Sequence, residues 1–600
     1  MTRERLNPSS RSSATTSRST VSGEAADTPA PSSPAGTPHA ESVAANATRV
    51  GIRLTPRAIT ESSYLRSLLT VRHYTGGAGI AISLNTCCLD ARWVGSSGGG
   101  CRAVDATGAM RLGHYTAAVS AIGIAVLLFV ALTLFIGVRT YAKIRGRATN
   151  YYVAGNAMPV GVVGITLCAQ AFDANGSVGN ASLVHSGGFW AGAVIPVGLA
   201  LCLFIAGTWF AEPLHRMRLM TLADFYRRRY SVPTETLAAG LMLLSNVVLV
   251  AGNLAGLGLL FELVFGAPYL AMLVAVALCI LAYAVSGGLY ATIATSVLQV
   301  SIFIVSIVVA FVWLGGSHGW GTLLSSAPEG AMSFAGLFSR ESGALVNWAA
   351  LGSLALGDIV AIDFIQRMIS ADSGRSAKRG CYLAGGLTLV VGLTVSLIGL
   401  SAHYFGRDAG SSLLVDLALT DLPLLIGGAV LLGIIAASMS TASGVVLDLA
   451  NVITRNLVQR HSRSTWDDER MLRFSRWIAL PTMAGAVVFA YVRPEPGILL
   501  ILAFDIVLAG CFVPLLLGLF WRKANTTGAL AGVIAGSAAR LVLHFAVTDA
   551  YRGLDTLLAP VFSLIAMVVV SLMTQKTHRP RHDELRRVPS ERDLVAGLDG

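Results

Sequence analysis

The chain has 600 residues, of which 54% are hydrophobic and only 13% charged, far from the composition of a soluble domain, so lipid must be the solvent for most of it. A net charge of +11 raises nucleic acid as a partner, but the Lys and Arg residues are confined to short loops between apolar runs, which reads as membrane orientation and not as a binding face. Metal-ligand clusters, nucleophile motifs and phosphate loops are missing, which argues against an enzyme, and Cys168, Cys202, Cys279, Cys381 and Cys511 lie in or beside apolar segments as small buried hydrophobes.

Residues 1–110 are rich in Ser, Thr, Ala, Gly and Arg and hold no run able to span a membrane, so this stretch is expected to be a disordered extension. Met110 directly precedes the first apolar run, which marks it as an alternative translation start. From there to about residue 575 the expectation is an all-α polytopic membrane domain, followed by a short basic tail over 576–600.

The apolar runs predict about thirteen spans of roughly twenty residues each. They fall near 115–138, 158–180, 189–211, 236–264, 268–286, 291–315 and 345–366, then 381–404, 422–450, 474–492, 497–521, 526–547 and 556–574. Basic clusters follow the first, third, seventh, ninth and eleventh spans, for example Arg227, Arg228 and Arg229 after the third and Arg455, Arg460 and Arg463 after the ninth. All are odd-numbered exits, so these loops share the cytoplasmic side of an inner membrane, with the N-terminus outside and the C-terminus inside.

Ionisable groups at membrane depth are costly and are functional candidates by default. Asp173 lies mid-span in AQAFDANGSVGNAS, where Asn175, Gly176 and Gly179 make a poor continuous helix. An unwound helix with free carbonyls beside an acid is one way to build a cation site, although a polar contact between helices explains the same residues. The seventh span repeats the pattern in LGSLALGDIVAIDFIQR, with Gly357 and Asp358 at its interruption and Asp363 further along, expected to pair with a loop Arg. Two interrupted spans in corresponding positions point to one shared site, making Asn175, Gly176, Gly357 and Asp358 candidates for solute contacts.

In the ninth span Ser440 and Thr441 follow Ala437 by about one turn. Hydroxyls and carbonyls suit a small hard cation, yet such hydroxyls also commonly bond helix carbonyls. Asp448, Asp505, Arg540 and His544 are further polar groups in apolar runs, and Gly528, Gly532 and Gly536 recur every fourth residue, as close helix packing requires.

Six spaced motifs resemble the sodium:solute symporter family: YYVAGNAMPVG, TLADFYRRRYS, SGGLYATIATSVLQ, DFIQRMISADSGRSAKRG, ASMSTASGVVLDLANVITRNL and GLFWRKANTTGALAG, in the family's order over residues 115–575. The resemblance implies a LeuT-like core of two inverted five-helix repeats, with solute at the midplane and Na+ as the coupling ion between the first and eighth core helices. Carried onto this chain, it gives the carbonyls of Ala171, Ala174 and Ala437 and the hydroxyls of Ser440 and Thr441 as sodium ligands, with Asp173 beside the ion. Ser296 stands where the family often has Asp, which favours a single sodium, and DANGSVGN differs from the proline carriers. Proton coupling through Asp173, or a transporter-like membrane sensor, are the alternatives to sodium-coupled symport of a small organic solute.

Overall fold

In a bilayer each spanning segment must satisfy its own backbone, which leaves helices as the form for long apolar runs. The computed structural model describes residues 122–133, 135, 157–407, 410–462, 466–578 and 580–582, and no strand occurs among them. The expectations for residues 1–110, the start at Met110 and the end of the tail lie outside the described residues.

The helices, numbered in chain order, are α1 (Ile122–Thr133), α2 (Val160–Ala171) and α3 (Ala174–Gly187), α4 (Phe189–Arg216), α5 (Ala223–Arg229), α6 (Val232–Phe265) and α7 (Tyr269–His318). There follow α8 (Ala344–Val360) and α9 (Ile362–Ile369), α10 (Gly374–Ser401), α11 (Leu413–Thr420), α12 (Leu424–His461), α13 (Asp468–Val492), α14 (Pro496–Phe520), α15 (Thr526–Ala546) and α16 (Leu554–Met573). Among the described residues nine helices are long and apolar enough to cross a membrane, or ten if α8 and α9 count as one bent span.

The predicted spans at α6, α14, α15 and α16 agree closely with these helices, the first span is described only in part, and α7 and α12 depart from expectation. The boundary expected between 286 and 291 is not a loop: Tyr269–His318 is helical through all 50 residues. Neither Gly287 nor Gly288 ends it, because glycine lowers helix propensity by only about 1 kcal/mol and no proline is there to remove a hydrogen bond. The other surprise is the tail of α12, which runs past the predicted end at 450 to His461 through a widened turn at Ile453–Val458.

Two polar ties group the helix ends on one side of the bundle. Before α2, Met158 donates its N–H to the Ser370 carbonyl and accepts from Asp372 N–H, while His215 at the end of α4 lies 2.9 Å from the Ala371 carbonyl. These bonds join α2, α4 and α9. The second tie is a buried ionic cluster joining α5, α6 and α12. Arg455 contacts Asp224 at 3.0 Å, Arg460 bridges Asp224 and Glu235 at 3.1 and 3.2 Å, and Asn456 donates to both acids.

Burial opposes the charge of Asp224, yet Arg455, Arg460 and Arg228 outweigh it and hold the carboxyl well below the usual carboxylate range. A depressed carboxyl contributes stability above its unfolded value of about 4 and loses it as pH falls through the folded value. Asp224→Asn, which leaves Arg455 and Arg460 short of a counter-charge, is expected to cost about 3–5 kcal/mol. Thermal unfolding in detergent should show that deficit unchanged from pH 8 to about 5 and narrowing below about 4.

Candidate functional site

The first interruption lies between α2 and α3. Helix α2 ends at Ala171, which leaves its last carbonyls without the N–H groups a continuing helix would supply. Phe172 and Asp173 are non-helical, and α3 restarts with Asp173 as its N-cap, one carboxylate oxygen accepting from Gly176 N–H at 2.9 Å. The other oxygen accepts from the Asn253 amide of α6 at 2.7 Å. A Cβ on Gly176 would sit 2.2 Å from the Ala171 carbonyl oxygen, so only glycine lets the two half-helices meet this closely. Phe172 is stacked on Phe303 of α7 at 5.3 Å.

Helix α12 closes on this interruption from the side. Ser438 Oγ accepts from Ala174 N–H at 2.7 Å, and Thr441 Oγ1 donates to the Ala169 carbonyl at 3.3 Å. Residues three apart share a helix face whereas adjacent ones do not. Ser440 is accordingly turned to α7, where its hydroxyl is in close contact with that of Ser296. The side chains on α12 from Ser438 to Thr441 are buried. The C-terminal carbonyls of α2, negative in the helix dipole, and the hydroxyl of Thr441 thus meet at one dry point. Oxygen donors of this kind suit a small alkali cation.

The predicted residues are therefore only partly gathered. Ala171, Asp173, Ala174, Gly176 and Thr441 converge at the α2–α3 interruption, with Ala437 one turn before Thr441 on α12. Asn175 turns to α6, its amide donating to the Leu249 carbonyl at 3.1 Å, while its Oδ1 is unpartnered. Ser438 and Asn253 were not among the sequence candidates. The three-residue spacing of Ser438 and Thr441 was the available signal for the first; nothing local marks the second, since its role comes from packing α6 on α3.

The second interruption separates α8 from α9, which meet at 51°. A widened turn at Ser353–Gly357 and a tight turn at Asp358–Val360 precede it, and Ala361 is extended. A Cβ on Gly357 would lie 2.3 Å from the Phe504 carbonyl oxygen of α14. Asp358 is buried with Oδ1 unpartnered. The hydrogen bonds of the first interruption do not extend to either residue. Asp363 was expected to pair with a loop arginine, and it does: its partner is Arg367, the first basic residue after the predicted seventh span, which the structure places on α9 at 3.2 Å with both side chains buried. The four-residue spacing puts them on one helix face.

Away from both interruptions, Arg540 of α15 pairs with Asp505 at 2.5 Å and Asp555 at 2.8 Å. These bonds tie α14, α15 and α16, and the predicted glycines of α15 pack against Ser563, Met567 and Ser571 of α16.

A family model described as Sodium:solute symporter family matches residues 151–536, a stretch that holds both interruptions and all of α12. The chain belongs to the sodium:solute symporter family. Members of this family are transporters, not enzymes. A curated relative of this symporter-family chain is the sodium/glucose cotransporter of Vibrio parahaemolyticus, 25% identical with 74% of this chain and 89% of that protein covered. Among solved structures, a Na+-coupled sialic acid symporter in a substrate-bound outward-open state superposes with a TM-score of 0.61 at 18% identity, covering 75% of this chain and 98% of that one. That likeness shows a shared fold. A nucleobase-cation-symport-1 family transporter gives a TM-score of 0.46 at 13% identity, covering 74% and 97%.

For this symporter-family chain the geometry makes Asn253 a support of the first interruption. Asn253→Ala would remove one of the two donors to a buried carboxylate, at an expected cost of about 1–3 kcal/mol. Thermal unfolding of the purified variant checks this, and a stability equal to wild type would mean that the Asn253–Asp173 bond does not hold the interruption.

Proposed function

We propose that the chain is a secondary active transporter that couples the inward movement of Na+ to uptake of a small organic solute by alternating access. The observation that carries this reading is the α2–α3 interruption clamped by Ser438 and Thr441 of α12, an unwound helix beside hydroxyls in a chain of the sodium:solute symporter family. Sodium would be held by the carbonyls of Ala171, Ala174 and Ala437 and the hydroxyls of Ser440 and Thr441, with Asp173 adjacent. Ser440 would have to release Ser296 and turn toward the ion, and the pairing of these two small hydroxyls supports a single sodium. Asn175 and Gly176 are the proposed solute contacts at the first interruption, and Gly357 and Asp358 at the second.

The proposed topology has thirteen spans, two of them supplied by α7, around two inverted five-helix repeats in a LeuT-like arrangement. Residues 1–110 form an extension, 111–575 the membrane domain and 576–600 the tail. Arg and Lys placement puts the end bearing α5 in the cytoplasm of an inner-membrane protein, with the N-terminus outside. At that end one tie holds α2, α4 and α9 together and the other holds α5, α6 and α12. Rocking one set against the other would open and close the contacts of Thr441 and Ser438 with the interruption, and bound sodium would fix that gap.

One sodium crossing about 100 mV supplies roughly 2.3 kcal/mol, and a tenfold gradient adds about 1.4 kcal/mol. Together these support accumulation of a neutral solute by a few hundredfold. The test is sodium-dependent thermal stabilisation of the purified protein, followed by uptake in proteoliposomes of whichever solute a panel of sugars, amino acids, carboxylates and vitamins identifies. Ser440→Ala with Thr441→Ala should raise the half-saturating sodium at least about tenfold, equal to ~1.4 kcal/mol. Unchanged sodium dependence in the double variant would remove these hydroxyls from the site.

A further inference from the structure

Grooves between helices interrupt the apolar outer surface of the bundle, and one of them differs from its neighbours in charge. A groove of about 490 Å³ between α7 and α12 is lined by aliphatic and small side chains and two serines. Another, of about 530 Å³, between α6 and the end of α12, has His461 as its titratable residue. In the third, of about 490 Å³, α7 supplies Leu278, Leu281 and Val285, while α13 supplies Leu480, Trp477 and the guanidinium of Arg476. No acid lines this groove.

Helix α13 begins at Asp468, a short link after α12 ends at His461. Its first turns therefore lie at the end of the bundle that holds the Asp224–Arg455–Arg460 cluster. Arg470, Arg473 and Arg476 recur every third residue over these turns, which sets them along one helix face. Arg470 lies over the Trp466 ring at 4.5 Å, and Arg473 pairs with Glu469 at 2.5 Å. Arg476 is a turn deeper, half-buried in the groove wall, and Trp477 beside it is 68% exposed.

A guanidinium inside an apolar span is costly unless it reaches an anion. A lipid phosphate supplies one, the apolar walls accept an acyl chain, and an exposed indole settles at headgroup level. Free phosphate would meet the cation but leave the apolar walls unused. A zwitterionic lipid offers the same phosphate with its charge offset by the headgroup ammonium. We propose that this groove binds one anionic phospholipid, with an acyl chain between α7 and α13 and the phosphate on Arg476. Bound there, the lipid joins α13 to α7 from outside the protein core. Its binding requires the membrane-spanning fold and is independent of sodium.

Two measurements on the full-length purified protein test this. In the first, native mass spectrometry follows the binding of phosphatidylglycerol and of phosphatidylcholine with the same acyl chains. Wild type should bind phosphatidylglycerol about fivefold more tightly, the scale of one basic residue near a charged membrane surface. Arg476→Gln should abolish that preference, and Arg493→Gln, at the far end of α13, should keep it. Equal affinities in wild type, or an Arg476→Gln protein that retains the preference, overturn the proposal. Displacement of the lipid by excess inorganic phosphate also overturns it, because the groove would then be a site for a free anion.

In the second, wild type in phosphatidylcholine nanodiscs receives a small fraction of phosphatidylglycerol with a diazirine on one acyl chain, and labelled peptides are mapped after irradiation. Label concentrated on segments 278–285 and 476–480 is expected. Label spread evenly over these segments and the exposed faces of α15 and α16, as bulk lipid would give, overturns the proposal even where Arg476→Gln fails to fold.

Discussion

The close approach of Gly176 to the Ala171 carbonyl is the constraint on which the rest of this structure depends. With any larger residue the second half-helix would be pushed off the first, and Asp173 would lose the N–H that caps it. The interruption frees carbonyls at the end of α2 in a medium where free backbone groups are otherwise forbidden. Around the gap, Thr441 of α12 donates to the Ala169 carbonyl, Ser438 accepts from Ala174 N–H, and the Asn253 amide of α6 donates to the Asp173 carboxylate. A site for a small cation and a weak point in a helix are thus the same feature, which is what a transporter needs from it.

The remainder of the fold separates what must hold from what must move. The Asp224–Arg455–Arg460–Glu235 cluster is buried and multiply bonded, so breaking any member strands a charge. The polar contacts between α12 and the α2–α3 interruption are far fewer and are made by neutral groups, whose net contribution is about 1 kcal/mol each. Such contacts are inexpensive to exchange for contacts with an ion. A similar contrast holds at the second interruption, where Asp363 and Arg367 form a buried ion pair while Asp358 Oδ1 accepts no hydrogen bond.

Much of this was legible in the sequence because hydropathy and glycine placement report directly on spans and interruptions. Both interrupted helices were foreseen from Gly176 with Asp173 and from Gly357 with Asp358, and the end points of α6, α14, α15 and α16 lie close to the predicted ones. The continuity of α7 was not legible, since two glycines look like a loop signal whether or not tertiary packing overrides them. Which hydroxyl faces the gap was also hidden. Ser440 and Thr441 are adjacent in sequence, but their directions differ by about 100° on a helix, and Ser438 holds the position that adjacency assigned to Ser440. Asn253 lies 80 residues from Asp173, a pairing that no local pattern encodes.

The central claim is that the α2–α3 interruption and α12 together hold one sodium ion. Equilibrium binding of radioactive sodium to the purified wild-type protein, with potassium and choline as competitors, tests it most directly. The account predicts a saturable signal approaching one ion per chain that neither competitor displaces. No saturable sodium binding, or binding displaced equally by potassium, would contradict it.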